Sequence, residues 1–71
     1  MTELERVRAA LDGAGEGYSE VVQGRAIVVT IPAAIEGRGD PVEAIEAGKL
    51  GEGGPTRLRF NKDGKLEQGA T

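Results

Sequence analysis

The chain has 71 residues, nine of them basic and twelve acidic for a formal net charge of −3, and it contains neither cysteine nor histidine. These counts exclude disulfide bonds, thiolate metal sites, imidazole ligands and histidine general bases. A chain this short buries only about 60% of the surface that it exposes when unfolded, so association with another chain is a common remaining source of stability.

The first predicted element is a helix from Thr2 to Leu11. Thr2 and Glu5 have the spacing of a capping box, in which each side chain bonds a free backbone N–H at the start of a helix. Four apolar residues at helical spacing form a narrow stripe: Leu4, Val7, Ala10 and Leu11. Gly13 is expected to end the helix in the left-handed conformation, and residues 13–17 to form a flexible connector.

Two strands are predicted next, Tyr18 to Val22 and Ala26 to Ile31, because both segments are rich in β-branched residues. The short segment 23–25 contains a glycine and predicts the turn of an antiparallel hairpin. The first strand is half polar and suits the edge of a sheet. The second is apolar throughout, so we expect it to be central and covered on both faces.

The middle of the chain predicts two short helical segments. Pro32 has no backbone N–H and ends the second strand, and residues 33–36 are expected to form a single helical turn after it. Asp40 as the cap, with Pro41 at the first position, predicts a second short helix that ends at Gly48. We expect residues 50–55 to be a loop.

The C-terminal end carries the clearest hairpin signal. Residues 56–60 alternate between polar and apolar side chains, residues 61–64 contain the Asn, Asp and Gly of a turn, and residues 65–67 are the predicted second strand. Leu58, Phe60 and Leu66 are expected to point into the core. We expect Gln68 to Thr71 to be a frayed tail.

Together these elements predict a single small α+β domain over residues 1–71. Its order is N-terminal helix, β-hairpin, short helix and C-terminal β-hairpin, with an antiparallel sheet that has the helices on one face. The two hairpins could join in one four-stranded sheet. The helices supply apolar cover for only one face of that sheet: Leu4, Val7, Leu11, Val42 and Ile45. We therefore expect a second subunit or a binding partner on the other face.

No residue pattern indicates catalysis. Ser19 lies on a predicted strand in a chain without histidine, and Glu43 and Glu46 have the three-residue spacing typical of a solvated helix surface. We predict that the protein is not an enzyme and uses no cofactor, no metal ion and no small-molecule substrate. The longest apolar run is far below the roughly 20 residues of a membrane-spanning helix, and the N-terminus lacks a signal peptide's apolar segment. A cytoplasmic protein without a membrane partner is expected.

Positive charge gathers near the C-terminus, where residues 56–71 contain four basic and two acidic side chains. The four cations surround the predicted hairpin: Arg57, Arg59, Lys62 and Lys65. They could meet an acidic protein surface or the phosphates of nucleic acid, or they could only keep an exposed strand soluble. Phe60 alternates with the arginines and belongs to the core, so a base-stacking platform for single-stranded nucleic acid is not expected.

The segment GRAIVVTIPAAI, from Gly24 to Ile35, resembles the swapped-hairpin DNA-binding family of AbrB- and MazE-like regulators and antitoxins. The glycine and arginine, the β-branched run and the Thr-Ile-Pro sequence carry the resemblance, and Gly39-Asp40 stands for the family's Gly-Asp pair. The resemblance implies two interleaved chains in a homodimer, a proline-started helix after the strand, and DNA contacts from the hairpin around Arg25, aided by Arg38. Ala33 and Ala34 stand where the family often has a basic residue.

Two functions therefore stay open. The first is a small non-catalytic protein-binding adaptor or inhibitor that acts through a sheet edge or the basic C-terminal hairpin. The second is a dimeric DNA-binding transcriptional regulator or antitoxin of the swapped-hairpin type. The candidate binding residues serve either function: Arg25, Arg38, Arg57, Arg59, Lys62 and Lys65. The first function does not require a net-acidic chain to bind DNA, which is itself strongly anionic. Its partner would be a second copy or another protein.

Overall fold

The computed structural model describes residues 1–67, so the predicted fraying of Gln68 to Thr71 lies outside the described residues. Within that range the elements follow one another in this order: α1 (Glu3–Ala14), β1 (Ser19–Gln23), β2 (Ala26–Ile31), β3 (Ala34–Ile35), α2 (Pro41–Glu46), β4 (Leu50–Gly51) and β5 (Thr56–Phe60). The predicted α+β class is confirmed, and both helices pack on the same face of the main sheet.

The capping box that starts α1 is present as predicted. The Glu5 N–H donates to Thr2 Oγ1 at 3.1 Å, and the Thr2 N–H donates to Glu5 Oε1 at 2.8 Å. The predicted end of α1 is wrong, because Gly15 rather than Gly13 adopts the left-handed conformation, with φ 69°. The N–H groups of Gly15 and Glu16 donate to carbonyls of the last turn of the helix. A left-handed residue at Gly13 would end the helix about half a turn earlier.

The main sheet has the strand order β1-β2-β5, and all its pairs are antiparallel. A two-residue turn, Gly24-Arg25, joins β1 to β2, and β2 is the central strand as predicted. The two predicted hairpins do share one sheet, since β2 pairs with β5 from Ile27↔Phe60 to Ile31↔Thr56. The predicted fourth strand is reduced to a single bridge, Phe60↔Leu66.

The expectations for residues 33–36 and 50–55 are wrong. Instead of a helical turn and a loop, β3 and β4 form a second, two-stranded antiparallel sheet with Ile35 opposite Leu50. The Glu36 N–H donates to the Lys49 carbonyl at 2.9 Å and extends this pairing. Pairing wins because Ile35 and Leu50 can then pack against the core, which an isolated helical turn would not secure.

The second helix begins and ends as the sequence predicts. Asp40 accepts a hydrogen bond from the Val42 N–H at 2.9 Å, Pro41 occupies the first turn, and Gly48 follows the C-terminal cap. The core lies between the helices and the sheet, where the largest fully buried side chains come from four elements: Phe60, Leu11, Ile31, Leu58, Val7, Val29 and Val42. Leu58 and Phe60 point inward as predicted, and Leu66 packs against the same core.

Candidate functional site

One side of the main sheet carries no helix within the described residues, and we call it the open face. Residues directly opposite each other in an antiparallel pair point to the same side, so the register assigns each side chain to a face. Val29 and Leu58 point to the helices, which places their neighbours along each strand on the open face. Eight residues of the three strands belong to it: Ser19, Val21, Gln23, Ala26, Val28, Thr30, Arg57 and Arg59.

The open face combines an apolar pair with two arginines. Val21 lies opposite Val28, and Val28 lies opposite Arg59, so the three form one row across the sheet. The next row ends at Arg57 in the same way, opposite Thr30. Val21 is 51% exposed. A shallow groove of about 390 Å³ runs over these residues.

The two arginines of the open face differ in their partners. Arg59 donates from Nε to Glu67 Oε1 at 3.0 Å, and both side chains are nearly half exposed. Arg57 makes no ion pair with any residue from 1 to 67. An incoming carboxylate can therefore meet Arg57 without displacing an internal partner among these residues, whereas at Arg59 it would compete with Glu67.

The outer edge of β1 is the second exposed feature. Every residue of β1 is exposed, and β1 ends the sheet on that side in the part of the chain that the structure describes. Val22 points to the same side of the sheet as the helices, but the helices do not cover it, and it is 72% exposed. Native edge strands are commonly protected by Pro, by charged side chains, especially Lys, or by a bulge. The sequence SEVVQ carries one charge, Glu20, but neither Pro nor Lys, and its pairing with β2 is regular.

A bidentate ion pair holds β1 beside α1. Arg8 donates from Nε and Nη2 to the two carboxylate oxygens of Glu20 at 2.7 and 2.6 Å. These hydrogen bonds lower the pKa of Glu20 and raise that of Arg8. Arg6 makes a similar pair with Glu46 and ties α1 to α2, and this hydrogen bond lowers the pKa of Glu46. Ion pairs thus tie α1 both to β1 and to α2.

The six candidate cations fall into three groups. Arg57 and Arg59 share the open face, as the alternation of β5 predicts. Arg25 and Lys62 lie in turns at the same end of the sheet, because Ile27 pairs with Phe60, and Lys65 follows the second turn. Arg38 lies apart from both groups. It lines a separate pocket of about 510 Å³ beside α2 and Leu66.

Val21 and Val28 of the open face are not among the functional candidates that the sequence predicts. The length of the turn could have identified them, because a two-residue turn at Gly24-Arg25 sets the register of the hairpin and places Val21 opposite Val28. The predicted turn over residues 23–25 is one residue longer, which leaves the register open. The exposure of Val22 had no such signal, since it depends on how far α1 reaches over the sheet edge.

No helix among residues 1–67 has the length and apolar character needed to cross a membrane. In the same range, no group of three or more Asp and Glu side chains is arranged to hold a metal ion. Comparison of the chain with protein-family models gives no match, and neither the curated proteins nor the solved structures contain a chain that matches it.

Proposed function

We propose that the protein is a small non-catalytic binding module, an adaptor or inhibitor, that holds another protein against the open face of its sheet. The observation that carries the proposal is the row of Val21 and Val28 beside Arg57 and Arg59, on a face without helical cover in residues 1–67. Protein interfaces characteristically combine an apolar centre with arginine and exclude lysine and acidic residues from that centre.

The charge on the open face favours an acidic partner surface. Its ionisable side chains are Arg57, Arg59 and the Glu67 that pairs with Arg59, so the face is net positive although the chain as a whole has a net charge of −3. Complementary charge speeds encounter and selects the orientation of docking, while the buried apolar contacts supply affinity. A partner that presents a carboxylate beside an apolar side chain fits both features. We also propose a cytoplasmic location, in keeping with the ordinary charge balance of the chain.

The test compares two double variants that change the charge by the same amount. Arg57→Glu with Arg59→Glu reverses the open face, and Arg25→Glu with Lys62→Glu reverses the turn end of the sheet. The tagged chain is used to recover partners from cells that express it, and the affinity of each recovered protein is then measured in vitro. The proposal requires an acidic partner whose binding is lost in the first variant and retained in the second. Equal binding by both variants would remove the open face as the interface.

A DNA-binding regulator is the second candidate function. It is supported by the positions of Arg25, Lys62 and Lys65 in or next to two turns at the same end of the sheet. Cations held in turns suit phosphate contacts, which position a protein on a duplex. This candidate predicts duplex binding at low salt that weakens about 0.9 decades per decade of salt for each phosphate neutralised. Binding should be lost on Arg25→Glu with Lys62→Glu, and its absence at low salt would exclude the candidate.

A further inference from the structure

The backbone groups at the outer edge of β1 can be assigned from its pairing with β2. In a two-residue turn, the flanking residues Gln23 and Ala26 form a hydrogen-bonded pair, and bonded and non-bonded pairs then alternate along the strands. Val21 and Ser19 therefore bond to β2, whereas the N–H and C=O groups of Glu20 and Val22 point outward. The Glu67 N–H bond to the Arg59 carbonyl, two strands away, fits the same alternation.

We infer that β1 pairs antiparallel with β1 of a second copy of this chain, about a two-fold axis at Val21. The outward groups of Glu20 then bond those of Val22 in the second copy, and the reverse pair forms by symmetry. The two three-stranded sheets become one continuous sheet of six strands with all four helices on one side. This inference does not depend on the function proposed for the open face.

The sequence of β1 is complementary to itself in this register. Val21 meets Val21 of the second copy at a non-bonded position, where opposing side chains come closest. The single charged residue, Glu20, faces Val22 rather than another carboxylate, and its hydrogen bonds to Arg8 keep it ionised in that position. An axis at Glu20 would set two carboxylates opposite each other, and an axis at Val22 would leave part of β1 unpaired. All five residues of β1 pair only when the axis lies at Val21.

The dimer would also cover the apolar groups that one chain leaves exposed. Val22, at 72% exposed, would lie beside the aliphatic part of Glu20 from the second copy. On the open face, the valine row would run without a break from Val28 through both copies of Val21 to the second Val28. Arginines would flank this row on both sides. A symmetric strand pair of this kind has an isologous interface and closes at two copies.

The test uses two substitutions at one exposed position, chosen because the register predicts opposite results for them. Val22→Glu places a carboxylate opposite Glu20 of the second copy twice, and Val22→Lys places an ammonium there. From the size of cross-strand charge pairs, we expect the dimer dissociation constant to rise by about 2- to 30-fold with Val22→Glu and to fall by a similar factor with Val22→Lys. Sedimentation equilibrium of the full chain measures both against the monomer mass of 7.4 kDa.

Hydrogen exchange of the unmodified chain gives a readout that needs no variant. The amides of Val21 and Gln23 bond to β2 and should be protected at any concentration. The amides of Glu20 and Val22 should become protected only as the dimer forms between micromolar and millimolar concentration.

Three outcomes would overturn the inference. A chain that stays monomeric, with fast exchange at Glu20 and Val22 throughout, would leave the edge to an extended segment of another protein. A dimer that both charged substitutions weaken equally would have its axis at Val22. A dimer that neither substitution changes would use another surface. Partner binding that is lost only with Arg57→Glu and Arg59→Glu is measured separately, so failure of one proposal does not entail failure of the other.

Discussion

The two faces of β2 differ in their surroundings and in their side chains. Val29 and Ile31 are fully buried under α1 and α2, while Val28 and Thr30, which alternate with them, are only partly buried. The helix side carries Ile27, Val29 and Ile31, whereas the open side carries a smaller and partly polar set, Ala26, Val28 and Thr30. The difference in burial arises because α1 and α2 together are large enough to cover only one face of the three-stranded sheet. An apolar strand in a short chain thus indicates that both of its faces tend to be buried. It does not indicate whether the same chain or a partner buries them.

The largest expected effect comes from the covered face. Phe60 is fully buried and contributes the largest side chain of the core. Phe60→Ala should cost about 3–5 kcal/mol, because the cavity adds to the lost transfer free energy. A domain of this size has about 4–10 kcal/mol in total, so the variant should lose a large fraction of its stability and unfold at a markedly lower temperature. Thermal unfolding followed by circular dichroism measures this, with Phe60→Leu as the milder control.

A matched pair on β2 tests the contrast between the faces directly. Val29→Ala should cost about 2–3 kcal/mol, since its side chain is fully removed from water, whereas Val28→Ala should cost less than about 1 kcal/mol. Urea unfolding of both variants gives the two free energies. Equal costs at protein concentrations where the chain is monomeric would contradict the difference in burial between the two faces.

The attachment of the helical layer predicts an intermediate effect. The Gly64 carbonyl accepts a hydrogen bond from the Leu4 N–H at 2.9 Å, Gly64 has φ 79°, and a Cβ there would lie 2.7 Å from Thr2 Oγ1. Gly64→Ala should therefore destabilise the chain by more than about 1 kcal/mol.

Gly13→Ala is the control for that substitution and should act in the opposite direction. Gly13 lies inside α1, and a Cβ there meets nothing within 4 Å. Alanine is favoured over glycine in a helix by about 1 kcal/mol, so this variant should gain stability. The same urea titration measures both changes in the free energy of unfolding. A loss of stability in both variants would contradict the placement of Gly13 inside α1.

The smallest effect is the pH dependence of the tie between β1 and α1. Because the hydrogen bonds from Arg8 lower the pKa of Glu20 in the folded chain, the ion pair adds stability above the ordinary glutamate pKa of about 4.3. That contribution is lost as the pH falls through the lowered pKa. It should be below about 1 kcal/mol, since the pair is partly solvated.

Unfolding free energies at neutral and acidic pH measure this contribution. Glu20→Gln should show a smaller loss on acidification than the unmodified chain does. Glu16→Gln, at a residue without an ion pair among residues 1–67, should behave like the unmodified chain. An unchanged acid response in Glu20→Gln would show that the pair does not contribute.

Local signals in the sequence account for the parts of the fold that were predicted correctly. The capping residues Thr2 and Asp40 each satisfy backbone donors within a few positions, so the starts of both helices follow from short segments. The bounds of β2 follow from its β-branched run and Pro32. The β3-β4 pair was missed because each strand has two residues, too few for alternation to appear, and its partner lies about fifteen positions away.

The candidate site divides in the same way. Alternation in β5 was enough to predict that Arg57 and Arg59 share a face. It was not enough to predict that Arg38 would lie apart from the other cations, because that depends on how α2 packs. The exposure of Val22 likewise depends on the position of α1 over the sheet.

By itself, the sequence determined the starts of both helices, the central strand, the basic face of β5 and the shortage of apolar cover, because each depends on residue type at a short and regular spacing. Only the tertiary structure decided how far the helices cover the sheet, which strand ends it and which cations lie together. Those properties depend on contacts between segments far apart in the chain, where packing of the helical layer rather than local preference sets the outcome.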